Sequence, residues 1–494
     1  MDSDNIEISN KVRVLIVGAG LGGLVLAILL EKANIPYLVF ERAVKIRPLG
    51  SAMQLNCNIL PLFEQLGLYD QIRAIAKNVR ETRVVNHKME TIGSIDASEV
   101  EERSGYPVLI VQRPELYDIL VAMIPRNKIY MSRRVLSLEQ DASIVKIRFS
   151  DNTVAQGDIL VGADGAYSAV RQSLFRQMKL SGDLPESDQE DMTYSHICLV
   201  GTTLPVNPVK YPMVLEADCK HIILMGDKAP YSLWCFTVPG NRICWNLTIQ
   251  LKKETSKSDE AFRNSEWGPE ATESMCAEVA HFKSPYGGTL GELLDLTPKE
   301  LITKVMLEDK LFQTWTNGRV VLLGDACHKM LLSGGQGAIN AMQDAIVLSN
   351  LLNELETTQL DDIQSVLQYY QKLRYKHAEY NVKASKQLGK ALMGQTLFEE
   401  FFRKVTLNYI PKFVIRKMLD RNGVYRPQST IVPQVPVRGI VKAIPQSPSW
   451  QTASSMASTS SSSSLRSVTA LTRKRLRSAT SSSSATGSKS TVSV

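Results

Sequence analysis

Hydrophobic positions fall in short unbroken runs near the start of the chain and in alternating runs through its middle. Residues 12–42 show the first kind. An apolar run from Val12 to Val17 feeds into Gly18-Ala19-Gly20-Leu21-Gly22-Gly23. A helix-like apolar stretch, Leu24 to Leu30, follows, and a second run from Tyr37 to Phe40 ends at Glu41. The pattern predicts strand, tight turn, helix and strand, with an acid directly after the second strand. Gly18 permits the tight turn, Gly20 lets backbone approach a pyrophosphate, and Gly23 lets helix and strand pack closely. The helix N-terminus offers unpaired N–H groups and a positive dipole end to phosphates. Glu41, about 20 residues on, is placed to accept from ribose hydroxyls. The motif specifies a dinucleotide without saying which one.

Farther along, Arg47 to Asn58 (RPLGSAMQLNCN) is a loop of small residues ahead of an amphipathic helix, Ile59 to Leu68. Residues 82–111 alternate, Val108–Val111 is an apolar strand, and Arg113 stands at a strand-to-helix junction suited to meeting a phosphate. Ile159 to Val161 ends in Gly162-Ala163-Asp164-Gly165, with Ser168 as a cap for the next helix. Between 193 and 251 the texture changes. Tyr194–Gly201, Met213–Glu216, His221–Met225, Tyr231–Val238 and Arg242–Leu251 read as strands of a mixed or antiparallel sheet. Helical and polar sequence is expected over 259–315. Arg319 to Leu323 is then a buried strand ending at Gly324-Asp325, and Gly334-Gly335-Gln336-Gly337 opens a helix from about Ala338 to Leu355.

These runs divide the chain into a Rossmann-like dinucleotide-binding part over 11–192, an inserted β-sheet substrate domain over 193–300, and a return to the first part over 301–360. A helical region over 361–425 follows. Residues 426–494 are irregular, and from 446 onward Ser-, Thr- and Ala-rich sequence reads as disorder. The 494-residue length allows such a set of domains, with 44% hydrophobic residues an ordinary globular fraction.

Net charge changes little in this picture. Of the formal +7, six charges sit in the acid-free stretch after 445, so the body is near neutral and is not a nucleic-acid binder on this evidence. Seven scattered cysteines without a CxxC pair argue for reduced thiols. With an acidic, polar N-terminus unlike a leader, they point to an intracellular, cytoplasmic setting. No apolar run approaches the roughly 20 residues of a membrane span. Leu397 to Leu419 combines aromatic and aliphatic residues with Arg403, Lys404, Lys412, Arg416 and Lys417, a composition suited to peripheral contact with an internal membrane, although Pro411 interrupts the helix. Nothing in the sequence speaks to oligomeric state, and no metal-ligand spacing stands out.

Asp164 and Asp325 each follow a buried strand beside a glycine, where a carboxylate meets polyol hydroxyls or caps a helix. The GQG turn aims a helix N-terminus at a developing anion, the right tool beside the pyrimidine edge of a reduced flavin. Together, GAGLGG with Glu41, DILVGADGAYSAVR and GRVVLLGDACHKMLLSGGQGAINAMQDA resemble the single-component FAD-dependent monooxygenases of the para-hydroxybenzoate hydroxylase fold. Within that group the chain is most similar to fungal enzymes that epoxidise or hydroxylate terpenoid, indole-diterpene and polyketide intermediates.

The resemblance covers about residues 11–420. It implies an α/β fold of the GR2 flavoprotein type with an inserted mixed β-sheet substrate domain and a C-terminal helical region. It also implies FAD, with NAD(P)H as a transient reductant, and oxygenation of a small lipophilic substrate through a flavin C4a-hydroperoxide. Carried onto this chain, Gly18, Gly20 and Gly23 would hold the FAD pyrophosphate, Glu41 the adenosine ribose, and Arg113 the cofactor from its junction. Asp164 and Gly165 match a motif that serves both FAD and NAD(P)H, Asp325 the ribityl acid, and Gly337 and Ala338 the backbone beside the isoalloxazine. Gln54 takes the place of a family glycine whose backbone lies against FAD. Leu332 stands where the family usually carries a proline bordering the oxygen-reactive face of the flavin, which keeps open a dehydrogenase or reductase on the same fold. A non-enzymatic FAD-containing interaction protein acting through the tail is a third reading. No catalytic residue is marked; Tyr194, Tyr231 and His221, with Trp234, are the aromatic or polar candidates on the substrate sheet.

Overall fold

The computed structural model describes residues 13–45, 52–226, 231–250, 269–393, 412–446 and 449–450. The loop ahead of Ala52, residues 397–411 of the basic stretch 397–419 and the Ser-rich tail lie outside them. The described residues up to Gln446 form one compact unit.

The chain begins with β1 (Val14–Val17), α1 (Leu21–Lys32) and β2 (Tyr37–Phe40). Next come β3 (Glu81–Val85), β4 (Thr91–Asp96), α2 (Arg113–Ala122), β5 (Ile159–Gly162) and α3 (Ala169–Ser181). The substrate side carries β6 (Thr193–Thr202), β7 (His221–Met225), β8 (Tyr231–Val238), β9 (Arg242–Gln250) and β10 (Thr303–Leu311). The chain then returns through β11 (Val320–Leu322), α4 (Gly337–Asn353), α5 (Leu360–Met393) and α6 (Lys412–Asn422).

Two sheets matter for function. In the first, β11, β5, β1 and β2 lie side by side and parallel, with short strands at both edges. Residues 14–16 and 159–161 have no exposed surface. Strands buried on both faces read as unbroken apolar runs, which is why β1, β5 and β11 are legible in the sequence. Helix α1 is buried almost all round and packs on α4. A Cβ on Gly22 would lie 2.6 Å from a Leu323 methyl and 3.0 Å from the Ala341 carbonyl oxygen, so this contact requires glycine.

The second sheet has eight strands, in the order His328–Lys329, β10, β6, β9, β8, β7, β3, β4. It therefore reaches beyond the expected 193–300 boundary on both sides. Strands β3 and β4 join one edge, and β10 pairs with β6. Strand β10 (TKVMLEDKL) falls where helical sequence was expected, because its charges mask the alternation; Glu308 is in fact buried and accepts from the Tyr167 hydroxyl at 2.8 Å. Met213–Glu216, expected as a strand, is instead a 3₁₀ turn at Pro212–Leu215. Proline there removes a ladder donor and fixes φ, which suits a turn.

Candidate functional site

The parallel sheet brings the sequence motifs together. Val17, Phe40, Gly162 and Leu322 are neighbouring rungs at the C-terminal ends of their strands. The residues that follow them, Gly18–Gly23, Glu41, Asp164 and Asp325, therefore emerge along one edge although they are 300 residues apart in sequence. Ligands of open α/β sheets bind at such an edge.

Backbone geometry at the first turn demands glycine. Gly18 has φ +105°, and a Cβ there would lie 2.4 Å from the Ala163 carbonyl oxygen; a Cβ on Gly23 would lie 2.1 Å from the Gly18 carbonyl oxygen. A Cβ on Gly20 would meet nothing within 4 Å, so the turn faces open space there. Glu41 accepts from the backbone N–H of Ala19 and of Ala43, both at 2.9 Å, stapling the turn to the end of β2. The Tyr117 hydroxyl donates to the Ala19 carbonyl at 2.5 Å and holds α2 against the same turn. Helix α1 begins with no side-chain cap and no acid in its first turn, and α4 begins in the same way at Gln336. Both helices thus direct unspent N–H groups and a positive dipole end at the edge.

Asp164 differs from the expectation that its carboxylate meets polyol hydroxyls. It accepts from the Ser168 hydroxyl at 2.5 Å, the Ala169 N–H at 2.6 Å and the Val170 N–H at 3.2 Å, and so caps α3. Burial pushes its pKa up against these hydrogen bonds. Gly165 supplies a φ of +82° at the same turn. Arg171, one turn into α3, donates to the carbonyls of Ala166 (2.6 Å) and Ala326 (2.9 Å), tying the Asp164 loop to the Asp325 loop.

Asp325 is partly exposed at the edge. It takes an ion pair from Lys329 at 2.7 Å, and Gly337 lies beside it, a Cβ there falling in ordinary contact with its Oδ1 at 3.8 Å. Burial alone would raise its pKa, but the Lys329, His328 and Arg113 charges outweigh it and hold the carboxyl below its usual value. Arg113 is solvent-exposed at the first turn of α2 yet walled closely enough that burial lowers its pKa, against the pull of Asp325. Gln54 sits on Ala52–Leu55, paired with Ile110.

Sequence reasoning missed the group that fixes this region. Asp344, fully buried in α4, accepts from the Gly324 N–H at 3.0 Å and the Arg374 Nε at 2.6 Å, and pairs with His328 Nε2 at 2.6 Å. Its carboxyl is held below the usual range because the His328 and Arg374 charges outweigh burial. Arg374 also donates to Asn340 Oδ1 at 3.1 Å. Cys327, His328 and Asp344 bring ligand atoms within 4.8 Å of one another, but the Asp344 charge is already met by Arg374. On the other side, the Asn58 amide donates to the Gln336 side chain at 3.0 Å, and the Gln343 amide donates to the Asn58 carbonyl at 3.0 Å, so the loop after Ala52–Leu55 is locked to the GQG turn. The available signal was Asn340, Gln343 and Asp344, polar residues at three- and four-residue spacing on an otherwise apolar helix.

The register of the eight-stranded sheet sorts the substrate-side candidates. Thr303, Val200, Asn246, Trp234, Ile223 and Val84 form one cross-strand row on one face, beside a second row containing Phe236 and His221. Leu331, from the loop before GQG, packs on Cys198, Val200 and Leu307 of this face, which therefore looks toward the dinucleotide edge. Tyr231 lies on the other face, stacked on Phe282 at 4.1 Å under a helical cover; the alternation of β8 removes it from the substrate side. His221 is on the inner face but buried, stacked on Phe236 at 4.3 Å and hydrogen-bonded to Thr82 at 2.8 Å. Desolvation drives its pKa down to about 3, so it is neutral at working pH and is no proton-accepting base poised near neutrality. The backbone of Tyr194 pairs with Glu308 beside an irregularity in the ladder; its side chain lies outside the described set.

Leu332 opens a 3₁₀ turn, Leu332–Gly334, and Leu331 before it has φ −68° and ψ 149°. That is the conformation a proline at 332 would impose on its neighbour. The backbone at Leu331 would therefore be compatible with a proline at 332.

Fold and edge define an FAD-type dinucleotide flavoprotein, a Rossmann-like unit joined to an antiparallel substrate sheet. The chain belongs to the FAD binding domain family, whose model matches residues 11–200 and 264–385, and it is an FAD-dependent monooxygenase. It is 30% identical over 405 residues to the FAD-dependent monooxygenase ptmM of Penicillium ochrochloron, covering 80% of this chain and 92% of that one. It is 32% identical over 385 residues to ausM of Aspergillus calidoustus, covering 76% and 79%. In fold it is similar to Klebsiella pneumoniae HpxO crystallised with FAD and uric acid, with a TM-score of 0.68 at 21% identity over 86% of this chain and all of that one. It acts on a small-molecule substrate.

Proposed function

We propose that Gly18, Gly20 and Gly23 hold the FAD pyrophosphate, with Glu41 at the adenosine ribose, Arg113 and Asp325 along the phosphate and ribityl stretch, and Gly337 and Ala338 at the pyrimidine edge. Gln54 and Gly165 line the same cofactor through backbone. The observation that carries this assignment is the alignment of four strand ends on one edge. The donor chemistry fits the group, since two uncapped helix N-termini flank the edge and suit a pyrophosphate at one end and an anionic ring at the other. When bound, FAD supplies the redox and oxygen chemistry. The chain's own contribution is to aim the α4 dipole, to fix Gly324-Asp325 through Asp344, and to exclude water with Leu331 and the inner sheet face.

The substrate is a lipophilic small molecule lying on the inner face, where Trp234, Ile223 and Phe236 offer apolar surface and Asn246 a side-chain amide. Among the described residues, the Asn246 Oδ1 is buried without a hydrogen-bond partner, ready for a hydroxyl donor. Purified enzyme given NAD(P)H, labelled oxygen and a panel of terpenoids and phenols is expected to yield a product carrying one labelled oxygen by mass spectrometry. Flavin reduction without any labelled product across the panel would favour the dehydrogenase reading.

Among the described residues, no helix is long and apolar enough to cross a membrane. Helix α6 is held to the body by Arg103–Asp420 at 2.5 Å and Arg416–Glu99 at 2.6 Å, and it exposes 68% of Phe413 and 60% of Met418 beside Lys417. This face is suited to resting on an anionic bilayer surface, convenient for a lipophilic substrate. Sedimentation with phosphatidylserine vesicles is expected to carry the enzyme down, and the double variant Phe413→Asp, Lys417→Glu to stay in the supernatant. Equal partitioning of the two proteins would end the idea.

A further inference from the structure

The cavity that opens at Gly18, Gly20 and Glu41 does not stop there. It measures about 960 Å³ and continues past Asp164-Gly165 along α3 to residues 184–192. Gln172, Phe175, Arg176 and Lys179 line this outer half, and their three- and four-residue spacing puts them on one face of α3. Arg42 and Arg133 also line the cavity. None of the motifs assigned to FAD lies in the outer half.

The charges there are unevenly spent. Asp164 caps α3, Glu308 accepts from Tyr167, and Asp188 accepts the backbone N–H groups of Gln313 and Thr314, both at 2.8 Å. Arg133 pairs with Asp151. Glu190 and Asp191 are exposed at one rim. Arg42, Arg176 and Lys179 are exposed and have no ion pair among the described residues. An exposed pair of cations on one helix face beside a glutamine, in a cavity that continues from the dinucleotide edge, is chemistry for a phosphate carried on a nucleoside.

Resting on the flavin reading above, we propose that the outer half of this cavity docks the 2′-phosphorylated adenosine of the pyridine nucleotide through Arg176 and Lys179, making NADPH the reductant in preference to NADH. The glycine-rich turn at Gly18–Gly23 opens the same cavity, so a nucleotide in this groove would lie on the flavin domain itself. This groove adjoins the cofactor edge and carries the charge that distinguishes the two nucleotides.

The test uses the full-length, FAD-loaded enzyme and two readouts. Binding of 2′,5′-ADP, which lacks the nicotinamide and needs no turnover, is measured by calorimetry with 5′-AMP as comparator. Anaerobic flavin reduction is followed with NADPH and with NADH. Wild type is expected to bind 2′,5′-ADP more tightly than 5′-AMP and to prefer NADPH by roughly tenfold or more in Kd. Arg176→Glu with Lys179→Glu is expected to erase both preferences, while FAD content and reduction by dithionite report that the flavin site is intact. Equal binding of 2′,5′-ADP by wild type and double variant, or no binding to wild type, overturns the proposal even if NADPH reduces the flavin. If 2′,5′-ADP binding depends on the two cations but neither nucleotide reduces the flavin, the groove stands and the reductant assignment falls.

Discussion

Gly23→Ala is expected to produce a folded protein that retains roughly a tenth or less of the wild-type FAD. The Cβ it adds would sit 2.1 Å from the Gly18 carbonyl oxygen, and that atom is backbone, unable to swing aside. The whole turn must move, yet it is pinned from three sides. Gly18 N–H donates to Phe40 and Ala163 N–H to Val17, each at 2.8 Å, while Glu41 holds Ala19. Overpacking of this kind costs about 1–3 kcal/mol. The more severe effect falls on the ligand, because the N–H groups of α1 are displaced from the phosphates and every 1.4 kcal/mol lost there weakens binding about tenfold. Flavin absorbance per mole of purified protein, read with far-UV circular dichroism, separates loss of cofactor from loss of fold. Normal flavin content in Gly23→Ala would remove the turn from the site.

Asp344→Ala is expected to have the largest effect on stability, about 3–5 kcal/mol, because it leaves the Arg374 charge buried and uncompensated. Asp344, Arg374 and His328 have no exposed side-chain surface. The thermal midpoint should fall by about 3–6 °C. Flavin content should fall as well, since Gly324 loses the acceptor that sets the backbone before Asp325. A paired replacement, Asp344→Leu with Arg374→Met, tests the two roles separately. Removing both charges is expected to restore much of the stability, as apolar substitutes for buried ion pairs often do. It should not restore flavin, because the Gly324 N–H still lacks its partner. Recovery of both would make Asp344 a purely structural residue, and a midpoint unchanged in Asp344→Ala would refute the burial argument.

Much of the cofactor edge was legible because its signals are local. A glycine demanded by φ +105° at Gly18, an apolar run buried on both faces in β1, and an acid one residue past β2 each arise from short-range physics. The Asp164 assignment shows where such signals stop. A strand-end aspartate beside glycine looks the same whether its oxygens face a ligand or the next helix, and only the positions of Ser168, Ala169 and Val170 place it as a cap. His221 faces the inner side yet is buried against Phe236 and Thr82, whereas Tyr231 fails for a reason related to that of Asp164. Alternation says that successive residues of a strand face opposite ways, but not which way faces the cofactor. That followed only from the contact of Leu331 with Cys198 and Val200.

Strand β10 was hidden because Lys304, Glu308 and Lys310 gave it a polar texture, and burial of Glu308 depends on a tyrosine 141 residues away. The Asp344–Arg374 pair was hidden because its members lie 30 residues apart on two different helices. The sequence by itself determined the class of cofactor, the parallel β–turn–α unit and the glycines that no other residue replaces, since steric limits on a turn are written in the residues of the turn. The tertiary structure decided which carboxylates remain available, which sheet face meets the cofactor edge, and where cations without partners gather along α3. Those depend on what the rest of the chain brings to each side chain, and that is set only when distant segments pack.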